Sequence, residues 1–145
     1  MMLHCAMHSY RHAATDEWRK VVGITSMRHQ VRRPFEVVNV KPEHPIMMAF
    51  PKTWQDEPDE LYECIKEWPN CVPLGKAITP DKTSELHTVI WVNNTGKARV
   101  FGTTLGHGNE TVSKEVYLDL VTRGLLWVCD KLDNEGKPKS GYQKP

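Results

Sequence analysis

Hydrophobic and polar positions alternate over short runs of the chain, and the runs richest in β-branched residues predict strands. Residues 35–40 read Phe-Glu-Val-Val-Asn-Val and alternate in this way, and Pro42 ends the run. Residues 72–78 form a further short run of this kind. Residues 1–6 read as the last part of a buried strand that runs straight into a turn. The pattern therefore predicts a sheet of short strands.

Residues 87–105 predict a β-hairpin. Two apolar runs, residues 87–92 and 98–105, flank the segment Asn-Asn-Thr-Gly-Lys at residues 93–97. Asn and Gly readily adopt the positive φ angles that a tight turn between antiparallel strands requires. This part of the sheet is therefore expected to be antiparallel.

Two segments have the spacing of amphipathic helices. Residues 16–22 form a short one that Gly23 ends, and residues 113–132 form a longer one. Gly124 on the apolar face of the longer helix would let it lie close on a sheet. The acidic start of residues 59–63 suits the first turn of a further helix. Strands that alternate with helices predict an α/β domain with a mainly parallel sheet.

The length and composition limit the classes of protein to which this chain could belong. The 145 residues fit one domain, assigned to residues 1–132, and the Gly-, Pro- and Lys-bearing tail 133–145 is expected to be disordered. The formal net charge of +1 gives no overall field for nucleic acid, so neither nucleic acid nor membrane is expected as a partner. The basic stretch 28–33 is interpreted as a solvated loop without a partner. No export signal or apolar span stands out, so a cytoplasmic location is the default.

Candidate chemistry lies where the predicted strands end. In open α/β sheets ligands bind beyond the carboxyl ends of the strands, so His4 and His107 would lie at one edge if their strands run parallel. A His and a carboxylate such as Glu110 could carry out acid–base chemistry or bind a metal ion. The alternative is that His107 only caps a turn and that Glu110 only favours the helix dipole. His4, His8 and His12 recur at the helical spacing of a metal site, but the preceding strand argues against a continuous helix there.

Cys5 stands at the sharp turn that follows the first strand, where a nucleophile could be exposed, with His107 as its base. Leu3 and Met7 occupy the places where the usual tight turn has glycines. A buried, unreactive thiol is therefore the expectation for Cys5. The spacing of the four cysteines fits neither a zinc ribbon nor a disulfide scaffold.

Several short motifs, taken in order, resemble the signature of ThuA-like (trehalose utilisation) domains. They include Asp-Glu-Leu-Tyr at residues 59–62 and Leu-Gly-His-Gly-Asn-Glu-Thr at residues 105–111. The others are residues 4–9, 44–46, 95–101 and 123–127.

The resemblance implies a flavodoxin-like, class I glutamine amidotransferase-like fold with a mainly parallel sheet and helices. It also implies a role in the metabolism of trehalose or a related disaccharide, including 3-keto sugars, with a sugar-type pocket at the strand ends. The implied catalytic residues are His4, His107 and Glu110, which are also the candidate ligands of a divalent metal ion. The implied substrate-binding residues are Glu60, Tyr62, His8 and Asn109.

The sequence departs from the pattern of this family in one respect: the amino-terminal half of the domain, with the opening strands and helices of the sheet, is expected to be missing. A second chain or an oligomer is expected to cover the missing half, and a small carbohydrate is the expected ligand. Two other functions stay open: a truncated, non-catalytic protein that binds a carbohydrate or a partner, and a Cys5-dependent hydrolase or amidotransferase-like enzyme.

Overall fold

The computed structural model describes residues 1–78 and 85–143. Its strands are β1 (Met2–Leu3), β2 (Ile24–His29), β3 (Glu36–Asn39), β4 (Thr53–Gln55), β5 (Tyr62–Glu67), β6 (Val72–Ile78), β7 (Leu86–Thr95) and β8 (Ala98–Thr103). Its α-helices are α1 (Glu17–Val22), α2 (Asn109–Val112) and α3 (Glu115–Val128), and His4–His8 form a 3₁₀ helix.

The main sheet has the strand order β1-β8-β7-β6-β3-β4. Within the described residues β1 and β8 are parallel, whereas every other neighbouring pair is antiparallel. The expectation of a mainly parallel sheet was therefore wrong for this part of the chain. The physical reason is that short hairpin connections such as that between β7 and β8 return the chain antiparallel, whereas parallel neighbours need long crossovers.

Local signals predicted several of these elements well. The helix α1 ends at Gly23, which has a φ of +98° and donates its backbone N–H to the Arg19 carbonyl oxygen. Strand β6 has the predicted bounds, and the predicted hairpin is β7 and β8. The long predicted helix is α3, preceded by the separate short helix α2.

Three strands went unpredicted. Residues 24–29 and 62–67 pair as β2 and β5 in a separate two-stranded antiparallel sheet. Residues 59–63, interpreted as a helix start, instead lead into β5. Residues 53–55 form β4 at one edge of the main sheet, inside the segment read as a loop. Tertiary packing decides these cases, because Ile24 and Tyr62 are almost fully buried beneath the main sheet's Trp91.

The two hydrophobic clusters lie on opposite faces of β7. Ile90 and Val92 belong to the larger cluster, which α3 covers, whereas Trp91 belongs to the smaller one. Alternation along a strand directs these neighbours to opposite faces. At Gly124 a Cβ atom would lie 2.3 Å from Cδ1 of Phe101, so the absence of a side chain lets α3 lie close on the sheet, as expected.

The segment that follows α3 returns to the domain. Leu132 and Pro138 form an isolated β-bridge, and Arg123 donates a hydrogen bond of 2.7 Å to the carbonyl oxygen of Gly136. The expected disordered tail thus has backbone and side-chain contacts as far as it is described. None of the described helices is long and apolar enough to cross a membrane.

Candidate functional site

His4 lies at the sharp turn between β1 and the 3₁₀ helix. Its φ of +46° places a non-glycine residue in the left-handed region, a conformation that carries strain and often marks functional positions. Nδ1 of His4 lies 2.8 Å from the carbonyl oxygen of Thr104. Because a carbonyl oxygen only accepts, Nδ1 carries the proton and the lone pair is on Nε2. His4, and not Cys5, is therefore the strained residue of this turn.

The parallel pairing of β1 with β8 brings His4 and His107 together. Leu3 is in register with Thr103, so the chain leaves both strands at the same edge of the sheet. The imidazole centroids of His4 and His107 are 5.3 Å apart. The predicted proximity of these two residues thus follows from the one parallel pair in the described sheet.

Glu60 lies between the two histidines. Its Oε2 atom is 3.6 Å from Nε2 of His4 and 3.2 Å from Nδ1 of His107. One donor atom from each of these three side chains lies within 4.8 Å of the other two, a spacing that could hold a metal ion. The side chains of His4 and Glu60 are 16% and 15% exposed, so the cluster is sheltered while His107, at 39%, opens it to solvent.

A buried carboxylate positions two of these groups. Asp59 is fully buried, and its Oδ1 accepts the backbone N–H of Glu60 at 2.8 Å and that of His107 at 3.0 Å. Its Oδ2 accepts the backbone N–H of Gly106 at 2.7 Å. The loop that carries Glu60 is thereby fastened to the loop that carries His107.

Asp56 makes a second connection between the same loops. It is buried and accepts hydrogen bonds from the Thr111 hydroxyl at 3.0 Å and from the Glu57 N–H at 2.8 Å. Burial, followed by the negative charge of Asp59, raises the pKa of Asp56 to about 7. Two carboxyl groups of one loop thus bind the loop that follows β8.

Tyr62 forms an aromatic floor beside the cluster. Its ring centroid is 5.2 Å from that of His4, 5.2 Å from that of His29 and 4.4 Å from that of His8. Burial raises the pKa of the Tyr62 phenol well above its ordinary value, so the hydroxyl stays protonated. His29 also approaches Glu60, with Nδ1 at 3.6 Å from Oε1.

Both ring nitrogens of His8 have hydrogen-bond partners. Nε2 lies 3.1 Å from the Ser26 hydroxyl, which itself donates to the carbonyl oxygen of Arg28, and Arg11 lies 3.1 Å from Nδ1. Burial, and then the charge of Arg11, lower the pKa of His8 to about 4. His8 is thus an uncharged part of the wall around Tyr62.

The comparison with known proteins agrees with this arrangement of motifs. A family model described as "ThuA: Trehalose utilisation" matches residues 1–128. The chain belongs to the ThuA family. A search of curated proteins found no match.

Two solved structures of ThuA-like proteins share the fold of this ThuA-family chain. That from Parabacteroides merdae ATCC 43184 has a TM-score of 0.71 and 17% identity, over 99% of this chain and 68% of its own. That from Bacteroides uniformis ATCC 8492 also has a TM-score of 0.71 and 17% identity, over 87% of this chain and 56% of its own. At such identity the likeness concerns the fold alone: a mixed α/β fold with a central sheet and few helices.

In this ThuA-family chain the carboxylate between the two histidines is Glu60, whereas Glu110 was the predicted metal ligand. Glu110 is exposed and pairs with Arg32 at 2.7 Å. A hydrogen bond from its own backbone N–H, and then the Arg32 charge, lower its pKa. Asn109 begins α2 with an exposed side chain. The structure thus brings together His4, His8, Glu60, Tyr62 and His107 among the predicted residues.

The structure also tests the predicted three-histidine spacing and the expectation for Cys5. His4, His8 and His12 do not share one face, because His4–His8 form a 3₁₀ helix, which has about three residues per turn. Cys5 is exposed, so the expectation of a buried thiol was wrong. The cause is the same turn, which directs His4 inward at the end of β1.

Sequence reasoning missed the roles of His29, Arg11 and the two aspartates. The stretch 28–33 read as a solvated loop, yet Arg28 and His29 end β2 beside Tyr62. His29 pairs with Tyr62, which is 33 positions further along the chain, and pairing at such a distance leaves no local signal in the sequence. Asp59 stood in a quoted motif, but only the structure shows which backbone groups its carboxylate accepts.

Two surface cavities lie away from this cluster. One of about 220 Å³ is lined by residues that include Arg99, Trp127 and Asp130. Another of about 800 Å³ lies beside α3 and includes Val116 and Leu118. Neither contains a residue of the His4–Glu60–His107 cluster, so the candidate site rests on converging side chains and not on cavity volume.

Proposed function

We propose that this ThuA-family chain takes part in carbohydrate metabolism and binds trehalose or a related disaccharide, including 3-keto forms. In this proposal His4, Glu60 and His107 hold a divalent metal ion at the sugar site. The observation that carries the proposal is the approach of two imidazole nitrogens to one carboxylate oxygen, at 3.6 and 3.2 Å. The family's description as trehalose utilisation supports the sugar.

The donor set fits such an ion. Two nitrogens and one carboxylate oxygen are ligands that zinc and other divalent first-row ions prefer, and three protein ligands leave positions for substrate. His4 has the supporting hydrogen bond common in metal sites, because the Thr104 carbonyl oxygen holds the protonated Nδ1 and directs Nε2 to the site. The Asp59 hydrogen bonds support the other two donors less directly, because they hold the backbone N–H groups of Glu60 and His107 and not the donor side chains.

A bound divalent ion would supply Lewis acidity, polarising a carbonyl or hydroxyl oxygen of the sugar. His29 is the imidazole beside the cluster that would move a proton: its Nδ1 lies 3.0 Å from the Gln30 carbonyl oxygen and 3.6 Å from Oε1 of Glu60. Tyr62 keeps its proton and, because it is almost fully buried, packs against the imidazoles of His4, His8 and His29 and helps to hold them in place. These residues would together support acid–base chemistry on the sugar.

Titration calorimetry with Zn²⁺ and Co²⁺ tests the metal site. We expect the unaltered chain to bind one ion. The variants His4→Gln and Glu60→Gln should bind it at least about tenfold more weakly, because loss of even a supporting group around a metal commonly costs that much affinity. Glu110→Gln is the matched control, because Glu110 is a nearby exposed carboxylate outside the cluster. Retained affinity in Glu60→Gln together with lost affinity in Glu110→Gln would contradict the assignment.

Incubation with trehalose and with a 3-keto disaccharide, followed by NMR of the products, tests turnover. Conversion that requires Glu60 supports an enzyme. Sugar binding without conversion, again dependent on Glu60, would instead favour the non-catalytic carbohydrate-binding alternative. Neither binding nor conversion of either sugar would contradict the proposed sugar class.

A further inference from the structure

Arg11 has an unusual set of partners for an arginine of this chain. Its Nε donates to Nε2 of His12 at 3.1 Å, and its Nη1 lies 3.1 Å from Nδ1 of His8. Both partners are imidazoles, and among residues 1–78 and 85–143 no carboxylate lies within 4.0 Å of the guanidinium.

Other arginines of the described chain have carboxylate partners. Their N–O distances are at most 3.2 Å. The pairs are Arg19 with Asp16, Arg28 with Glu63, Arg32 with Glu110, Arg99 with Asp130, and Arg123 with Asp119. A half-buried cation without a counter-ion is costly unless a ligand supplies one. Arg11 therefore differs from these arginines in the way that an anion-binding residue would.

The guanidinium is held in place before any ligand arrives. His8 is fixed by Ser26, and Ser26 by the Arg28 carbonyl oxygen, so the nitrogen that faces Arg11 has a defined position. A guanidinium has five N–H donors, and the two imidazoles use two of them. The remaining donors form a planar fork of the kind that binds carboxylate or phosphate oxygens in pairs.

The guanidinium is joined to the candidate metal site through His8 and the buried ring of Tyr62. His8 packs on Tyr62 at 4.4 Å, and Tyr62 packs on His4 at 5.2 Å. The groups around Tyr62 are mainly imidazoles and Arg11, and the sheltered carboxylate of Glu60 is the acidic partner of His4, His29 and His107. Arg11 therefore brings to this region a positive charge with which no described carboxylate pairs, since Glu60 pairs with His4, His29 and His107.

We propose that Arg11 binds an anionic substituent, a carboxylate or a phosphate ester, on the sugar that occupies the His4–Glu60–His107 site. This inference rests on the proposed function and narrows its substrate class to acidic or phosphorylated derivatives of such sugars. Arg11 binds the anion, while the metal-site residues bind hydroxyl or carbonyl oxygens of the ring.

Binding of glucose, glucose 6-phosphate, glucuronate and inorganic phosphate to the Zn²⁺-supplemented full chain tests this, measured by ligand-observed NMR and calorimetry. We expect at least one of the two anionic sugars to bind about tenfold more tightly than glucose, as one charge-assisted hydrogen-bonded pair would produce. Arg11→Gln should abolish the difference, and Arg11→Lys should retain part of it. Arg28→Gln is the control, because Arg28 is exposed and paired with Glu63.

Two results would overturn the inference. One is equal affinity for the neutral and both anionic sugars in the unaltered chain. The other is inorganic phosphate binding as tightly as glucose 6-phosphate, which would indicate a site for free anions only. Zn²⁺ affinity is measured in parallel on each variant: if the metal does not bind but the Arg11-dependent preference persists, the metal proposal fails and this one stands. Thermal melting shows whether each variant folds. If Arg11→Gln does not fold, Arg11→Lys, which should retain part of the preference, still tests the inference.

Discussion

Oδ1 of Asp59 accepts a hydrogen bond from the backbone N–H of His107 at 3.0 Å, across 48 positions of sequence. Asp59 immediately precedes Glu60, so one buried carboxylate holds the backbone of two of the three donors of the proposed metal site, Glu60 and His107. Asp59 positions these donors and does not bind the ion itself, because its oxygens already accept three backbone N–H groups.

Asp59→Asn is expected to weaken metal binding without removing a ligand. The amide NH₂ cannot accept a hydrogen bond, so a backbone N–H loses its partner, at a cost of about 1–3 kcal/mol in stability. Displacement of Glu60 and His107 should reduce Zn²⁺ affinity about 10–100-fold, as loss of supporting groups commonly does.

Asp133→Asn is the matched control for this experiment. Asp133 also accepts backbone N–H groups, from Glu135 at 3.0 Å and Lys137 at 2.7 Å, but in the turn after α3. It should leave Zn²⁺ affinity unchanged in calorimetry. An equal loss of affinity in both variants would show a general effect of stability and would count against a positioning role for Asp59.

Asp56 and His8 should affect stability in opposite directions over the same pH range. Asp56, with its pKa raised to about 7, keeps its proton in the fold where the unfolded chain has lost it, so its contribution falls as pH rises from about 4 to 7. His8, with its pKa lowered to about 4, stays neutral where the unfolded chain is protonated, so its contribution rises between about pH 4 and 6.5. The two contributions therefore partly cancel.

Asp56→Asn should expose the His8 contribution. Asparagine keeps an oxygen that can accept the Thr111 hydroxyl but has no titration in this range. We expect the free energy of unfolding of Asp56→Asn, from urea titrations at pH 4.5, 5.5 and 6.5, to rise more steeply with pH than that of the unaltered chain. Identical slopes for the two proteins would contradict the raised pKa of Asp56.

Cys5 should be reactive but dispensable. Its exposed thiol is expected to be alkylated by iodoacetamide in the folded protein, because no packing shields it. Cys5→Ser should keep Zn²⁺ binding and any sugar conversion within about twofold of the unaltered chain, the small effect usual for exposed positions. Loss of conversion in Cys5→Ser with intact Zn²⁺ binding would favour the cysteine-dependent alternative.

Gly124→Ala should destabilise the protein although alanine is the better helix former. The new Cβ would lie 2.3 Å from Cδ1 of Phe101, so α3 would have to move from the sheet, at a cost of about 1–3 kcal/mol. Thr122→Ala, an exposed position of the same helix, is the control and should change stability by less than about 0.5 kcal/mol. Urea unfolding measures both, and a more stable Gly124→Ala would contradict the close packing.

What could be predicted from the sequence was what local chemistry determines. Gly23 ends α1 because it accepts the left-handed conformation, and the Asn- and Gly-bearing turn gives the β7–β8 hairpin. The meeting of His4 and His107 required only the correct assumption that their two strands are parallel neighbours.

What escaped prediction depends on partners far along the chain. Strand β2 exists because it pairs with β5, and their pairing carries His29 to Tyr62. The choice between Glu60 and Glu110 depends on Arg32, which pairs with Glu110 across 78 positions. Neither relation leaves a periodicity in the sequence, because side-chain partners at such separations are set by the assembled fold.

The hydrogen bond between His4 and Thr104 joins residues 100 positions apart, and the β1–β8 pairing spans the same distance. The β7–β8 hairpin closes over a two-residue turn and can form early, whereas β1 must find its place against β8 through a loop of most of the chain. We therefore expect the site around His4 to form late in folding. A metal ion bound to His4 would stabilise a contact that forms after the transition state of folding. We therefore expect Zn²⁺ to slow unfolding in stopped-flow experiments while leaving the folding rate nearly unchanged.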